Sequence, residues 1–178
     1  MYKDFKFITE QKIEGLMKVE ATSFSDHRGR LFSSYLKEEF ITNGIQHEFN
    51  HDKFAINQHK YTLRGLHGDF KSWKMVSVPL GKVFQVVVDY RKDSPTYKNV
   101  YTCILDSNDP CLLLLPPGCA NGFQSLVENT VYHYKLSYYG GYVDANEQFT
   151  LRWNDPEFKI KWPNMNPVIS KRDSFSNE

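Results

Sequence analysis

Val83-Phe84-Gln85-Val86-Val87-Val88-Asp89-Tyr90 is the stretch on which the fold class turns. It follows Pro79-Leu80-Gly81 and runs into Arg91 to Thr96, a charged turn that carries Pro95. A short β-branched and aromatic run bounded by turn residues reads as a strand. Working outward, Asn99 to Leu105 is a second strand, stopped by Asp106-Ser107-Asn108-Asp109-Pro110. Cys111 to Leu115 is a third, stopped by Pro116-Pro117-Gly118, and Val131 to Tyr139 a fourth, stopped by Gly140-Gly141. Strands at such spacing, with no helical period between them, predict an all-β sandwich or barrel. A jelly-roll barrel leads, and a parallel α/β fold has little support. Only Gln11 to Glu20 carries a helix-like pattern, and Leu151 to Pro156 opens an irregular, Pro-rich tail.

The 178 residues suit a single domain over 1–178, with no repeat, low-complexity tract or linker to divide them. Twenty-two Lys and Arg face 21 Asp and Glu, a net charge of +1, which provides no electrostatic footprint for nucleic acid or an anionic membrane. Aromatic residues at 15% argue against disorder despite a mean hydropathy of −0.54. No apolar run approaches the roughly 20 residues of a membrane span. Met1 to Lys6 has no signal-peptide character, and the odd, unclustered set Cys103, Cys111 and Cys119 fits a reducing compartment. The expectation is a soluble, cytoplasmic protein.

Several chemistries drop out. There is no GxGxxG after a strand, no GxxxxGK[ST], no GxSxG and no HExxH. His47 and His51 lie four apart, yet Gln46 to Lys53 is so polar that a solvated loop is the better reading than a metal-binding helix face. No His-x-His or His–Cys pair has ligand spacing, so neither a metal nor a cofactor is expected.

Two segments are too specific to be scaffold alone: Tyr61-Thr62-Leu63-Arg64-Gly65-Leu66-His67-Gly68-Asp69 with nearby Trp73-Lys74-Met75-Val76, and Leu115-Pro116-Pro117-Gly118-Cys119-Ala120-Asn121-Gly122-Phe123. Between them lies Val88 to Tyr97, with its Asp-x-Arg-Lys-x-Ser-Pro-Thr order, and after them the Trp-Asn-Asp-Pro and Trp-Pro tail. Together these elements resemble the dTDP-4-dehydrorhamnose 3,5-epimerase family, metal-independent cupins that act on nucleotide-linked 4-keto sugars. The resemblance runs from Phe24 to Asp173. It implies a cupin-type barrel with short flanking helices, a nucleotide-diphosphate sugar substrate and a homodimer with an exchanged N-terminal strand. The shortened Asn57-Gln58-His59-Lys60 lead-in and the Ala-Asn-Gly-Phe element resemble the branch acting on GDP-4-keto-6-deoxyheptoses for capsular polysaccharide.

Beside a C4 ketone, the C3 and C5 protons are acidified because the carbanion delocalises into an enolate. Epimerisation needs a base on one face, a stabiliser for the enolate oxygen and an acid on the other face. His67 is the best base, since imidazole titrates near working pH. The resemblance implies Asp173 as its partner, Lys74 as the enolate-stabilising cation and Tyr134 as the acid. Strand alternation puts Tyr132, Tyr134, Leu136 and Tyr138 on one face, with Tyr138 or Tyr139 shaping the sugar pocket. The resemblance gives Arg64 to the diphosphate, which a guanidinium fork suits, with Arg28 approaching the same region, often from a partner subunit.

Two departures from the family pattern bear on the reaction. Asn121 and Gln85 stand where relatives carry His and Asp. These amides can hydrogen-bond each other or the ligand, but they accept no proton at neutral pH. His67 is then the only obvious base, and inversion at C3 alone or at both carbons stays open. Arg28-Gly29-Arg30-Leu31-Phe32-Ser33 stands for an Arg-Gly-aromatic-aromatic-aromatic-Glu segment; if that segment frames the base, a purine becomes easier to accept in place of thymidine. Open alternatives are the dTDP-4-dehydrorhamnose enzyme proper, a ketoisomerase of the same fold, and a non-catalytic nucleotide-sugar-binding cupin. A metal-dependent cupin oxygenase is disfavoured, because His67, Asp69 and Asn121 do not complete a strong ligand set.

Overall fold

The structure, a computed structural model, describes residues 3–138 and 147–174. The chain opens with β1 (Phe5–Thr9), β2 (Met17–Ala21) and the hairpin of β3 (Ser23–Asp26) and β4 (Gly29–Phe32). After α1 (Lys37–Thr42) come β5 (His51–Asn57), β6 (Leu63–Gly68), β7 (Trp73–Leu80) and β8 (Lys82–Asp89). Then follow β9 (Val100–Asp106), β10 (Cys111–Leu115), β11 (Cys119–Ser125), β12 (Thr130–Ser137), β13 (Phe149–Thr150) and the single-turn α2 (Lys171–Ser174). A six-stranded sheet in the order β1-β2-β10-β7-β12-β5 faces a five-stranded sheet in the order β13-β6-β11-β8-β9. All sheet pairings between these strands are antiparallel, the jelly-roll arrangement expected of the sequence. Among the described residues no helix is long and apolar enough to cross a membrane.

Alternation along the strands distributes three apolar clusters. Val83 and Val87 of β8, Leu113 and Leu115 of β10, Phe123 of β11 and Tyr132 of β12 meet between the sheets. From the same strands, Val86, Val88 and Ala120 point the other way and are covered by the tail residues Leu151, Trp153, Phe158 and Trp162. Leu112 and Leu114 pack outward against Phe5, Phe40 and Ile45. The unbroken apolar run Cys111–Leu115 therefore has a simple cause, since each face of β10 meets its own cluster.

Two predictions need correction. Gln11 to Glu20 is not helical. Residues 11–16 form a turn closed by Glu10 N–H to Leu16 O (2.9 Å), and Met17–Ala21 is strand β2. Gly15, at φ +78°, breaks any helix there, while fully buried Ile13 and Leu16 anchor the turn. Nor is Gln46 to Lys53 simply a solvated loop: His51 begins β5, and His47 stacks on Trp73 with ring centroids 4.2 Å apart.

Candidate active site

Arg64 and His67 are three apart on β6, so regular alternation would send them to opposite faces. A register shift resolves this. Asn121 pairs with His67 while Phe123 pairs with Arg64, so three steps on β6 oppose two on β11. The extra residue is a bulge that turns both side chains to one side. Gly65 makes it possible: its φ is +123°, and a Cβ there would come within 2.6 Å of Gly122 Cα.

A cavity of about 480 Å³ opens between the sheets. The five-stranded sheet contributes Arg64, His67 and Asn121, the six-stranded sheet Lys53, Lys74 and Tyr134, and the C-terminal segment Ser170, Arg172 and Asp173. His67 Nε2 lies 2.6 Å from Asp173 Oδ1 and donates to it. Nδ1 has no partner among the described residues and is open to the cavity, so its lone pair is the basic site. Burial pushes the Asp173 carboxyl up, but hydrogen bonds and charge from His67, with the Ser170 hydroxyl and Gly65 amide, outweigh this and hold it below its ordinary value.

Lys74 Nζ is 2.9 Å from Asp69 Oδ2, both side chains being largely buried. Oδ1 of Asp69 accepts the amides of Lys71 (3.0 Å) and Ser72 (2.6 Å), so the carboxylate is fixed before it meets the lysine. Burial raises its pKa, and the Lys74 charge and these donors more than reverse that. Tyr134 reaches the cavity from β12, its ring set edgewise on Tyr132 at 4.8 Å. His67 and Tyr134 thus belong to opposing walls of the cavity.

Arg64 Nε donates to Asn57 Oδ1 (2.8 Å), and Asn57 is itself tied to the carbonyls of Ala55 and Thr130. Arg172 is held by Thr150 Oγ1 (3.0 Å) and Gln148 Oε1 (3.3 Å). Neither guanidinium has a carboxylate partner among the described residues, leaving two cations for an anionic ligand. Gln85 lies behind the wall, fully buried, its Nε2 donating to Asn121 Oδ1 (2.7 Å); the two amides do bond each other.

The remaining predicted residues lie elsewhere in this chain. Arg28, at the tip of the β3–β4 hairpin, is exposed and paired with Asp26. Tyr138 lies past the end of β12, its hydroxyl 3.2 Å from His51 Nδ1, and does not line the cavity. Tyr139 falls outside the described residues. The motif Asp89 to Thr96 is architectural: Asp89 takes the Arg91 fork (2.9 and 2.8 Å) and the hydroxyls of Ser94 and Thr96. Asp69 and Arg172 line the cavity but were not named from the sequence, though Asp69 closes the Tyr61–Asp69 segment and Arg172 precedes Asp173. Only folding shows which neighbours of His67 and Asp173 share their cavity. Burial pushes the thiols of Cys103 and Cys119 up to about 12 and of Cys111 up to about 11, so none is a ready nucleophile. Among the described residues, no three His, Cys, Asp or Glu side chains group as metal ligands.

The model of the dTDP-4-dehydrorhamnose 3,5-epimerase family matches residues 10–177. The dTDP-4-dehydrorhamnose 3,5-epimerase of Salmonella typhimurium is 32% identical over 175 residues, covering 94% of this chain and 92% of that protein. The crystal structure of dTDP-4-dehydrorhamnose 3,5-epimerase from Bacillus anthracis, with TDP and PPi bound, is 34% identical with a TM-score of 0.88, covering 96% of this chain and 97% of its own. That of dTDP-6-deoxy-D-glucose-3,5-epimerase from Legionella pneumophila, in complex with dTDP-4-keto-L-rhamnose, is 31% identical with a TM-score of 0.86 over 95% and 89%.

Proposed function

The chain belongs to the dTDP-4-dehydrorhamnose 3,5-epimerase family and is an isomerase acting on nucleotide sugars, and from that premise we propose that it epimerises a dTDP-linked 4-keto-6-deoxy sugar through an enolate. The observation that carries the reading is the hydrogen bond of His67 Nε2 to Asp173, with Nδ1 turned to a cavity whose opposite wall holds Tyr134 and Lys74. Nδ1 takes the proton of a carbon beside the C4 ketone. The C–H bond breaks, an N–H bond forms, and the electron pair moves into the carbonyl, whose oxygen Lys74 stabilises. Tyr134 then gives its O–H proton to the opposite face of that carbon, restoring the ketone with inverted configuration. Arg64 and Arg172 hold the diphosphate, and no metal or cofactor takes part.

A GDP-4-keto-6-deoxyheptose is the second reading. One observation favours it: Leu31 and Ser33 interrupt the aromatic-Glu segment, and Leu31 is 74% exposed on its hairpin. A homodimer belongs to the same proposal. The exposed apolar residues Phe24 and Leu31 support it, and the hairpin would carry Arg28 towards a partner's diphosphate site. So does a cytoplasmic location, where nucleotide sugars are made and used.

The test is deuterium incorporation in D2O, read by NMR of the reduced products, with dTDP- and GDP-linked 4-keto-6-deoxy sugars and His67→Asn as blank. Label with inversion from the dTDP sugar supports the first reading, and preference for the GDP-heptose supports the second. Label and inversion at C3 alone, or at C3 and C5, counts the carbons that one base serves. No label above the blank from either, with binding shown by calorimetry, means a non-catalytic binding protein.

A further inference from the structure

Asn121 has two cavity-facing possibilities, an acceptor oxygen or a donor nitrogen, and the buried network behind it selects one. Gln85 Nε2 lies 2.9 Å from the Val86 carbonyl and 3.1 Å from the Gly122 carbonyl. Two carbonyl oxygens accept only a donor, so the amide nitrogen of Gln85 is assigned by the backbone. Its oxygen is then Oε1, 2.7 Å from the Tyr132 hydroxyl, which donates to it. Tyr132 stays a donor because complete burial holds its phenol well above its ordinary pKa. The atom of Asn121 that lies 2.7 Å from Gln85 Nε2 must be the acceptor, Oδ1, with the Tyr132 hydroxyl a longer 3.4 Å away. Among the described residues Nδ2 is left with no partner, and no buried polar side-chain atom there lacks one, so Nδ2 is open to the cavity that Asn121 lines.

We infer that Asn121 is a fixed hydrogen-bond donor to the ketone oxygen as it becomes an enolate, with Gln85 and Tyr132 as the residues that set its direction. The inference rests on the epimerase reading above. Asn121 is the direct cross-strand partner of His67, and such neighbours have Cβ atoms about 5 Å apart when their side chains share a face. The carbonyl oxygen is bonded to the atom next to the carbon that loses its proton, so a donor beside the base is within its reach. Lys74 approaches from the opposite sheet. The developing charge is thus held between an ammonium on one wall and a neutral amide on the other. The amide does not titrate, so it remains a donor wherever His67 is a base.

The test compares wild type, Asn121→Asp and Asn121→Ala with a dTDP-4-keto-6-deoxy sugar in D2O, following kcat and KM for deuterium exchange. In both variants Gln85 keeps the Val86 and Gly122 carbonyls, and melting temperatures check the fold. Losing one oxyanion donor lowers kcat by roughly 10²–10³, with KM expected within about threefold. Asn121→Asp is isosteric but offers a carboxylate to the enolate, so near pH 8 it is the slower variant. Towards pH 5 its protonated form regains a donor, and the rate ratio of Asn121→Asp to Asn121→Ala climbs above one. His67, Lys74, Tyr134 and Asp173 line the cavity with Asn121, and Tyr132 lies behind it, so the pH profile of Asn121→Ala is the reference for these shared groups. If Asn121→Asp does not fold, Asn121→Ala alone decides. An alanine variant with kcat within threefold of wild type, or a loss confined to KM, overturns the donor role. A wild-type protein that exchanges no deuterium overturns the epimerase reading and this inference with it.

Discussion

Asp173→Asn removes the charge behind His67 while keeping the shape of the side chain. At 2.6 Å and an effective dielectric of about 20, a carboxylate and an imidazolium attract by roughly 6 kcal/mol. His67 keeps 24% of its side chain exposed. Solvent screening and the neutral hydrogen bond that asparagine can still make leave about half of that as a difference. About 3 kcal/mol is roughly two powers of ten in rate. A second effect adds to it. Where the asparagine NH2 faces the ring, Nε2 must accept, the ring proton moves to Nδ1, and the cavity-facing nitrogen has no lone pair to offer. Tautomer errors of this type cost up to about 10⁴ in serine hydrolases. The expected result is a kcat for deuterium exchange lower by 10² to 10⁴, with KM changed by less than about threefold. It is measured by NMR in D2O on protein shown by calorimetry to bind the nucleotide sugar. A variant whose kcat stays within threefold of wild type would refute the dyad, and with it the assignment of Nδ1 as the base.

Tyr134→Phe leaves the base but removes the opposite-face acid, so deuterium still enters the substrate while inversion falls at least 100-fold; loss of both in equal measure sinks the two-wall arrangement. Asp69→Asn strands the buried ammonium of Lys74 and is expected to cost about 3 kcal/mol, some 6–12 °C in Tm for a chain of this size, and to lower kcat. An unchanged melting curve would show that the pair carries no structural weight. Asp89 is fully buried. Burial raises its pKa, but the Arg91 fork and the hydroxyls of Ser94 and Thr96 win and lower it from 3.8 to about 2. A depressed carboxyl stabilises the fold above its unfolded pKa and stops doing so as pH falls through the folded one. Asp89→Asn should therefore be about 2 kcal/mol less stable at pH 7 by urea unfolding, with the gap closing between pH 4 and pH 2.

The strand content was legible in the chain because turn residues punctuate it. Cys111–Leu115 is bounded by Pro110 and Pro116 and folds as strand β10 with those limits. Gln11 to Glu20 misled because its apolar spacing belongs to a buried turn followed by a strand paired on both sides. There the partner strands β1 and β10, not local periodicity, decide the backbone.

The site was legible as residue types and not as an arrangement. His67 could be named because the chemistry of a base resides in the imidazole itself, and Lys74, Tyr134 and Asp173 because the family resemblance points to them. Their convergence could not be, since the His67–Asp173 bond joins residues 106 apart in the chain. Nor could strand periodicity put Arg64 and His67 on one side, for a bulge at Gly65 is defined against the partner strand β11. Asp69 and Arg172 acquire roles only through what lies across the cavity from them. The direction of the Asn121 amide is settled by two main-chain carbonyls, of Val86 and Gly122, which carry no trace in side-chain identity. Composition and spacing thus determined the β architecture and the kind of chemistry available. Sheet pairing, the bulge and the buried hydrogen bonds decided which groups meet, because proximity and hydrogen-bond polarity are properties of neighbours in space.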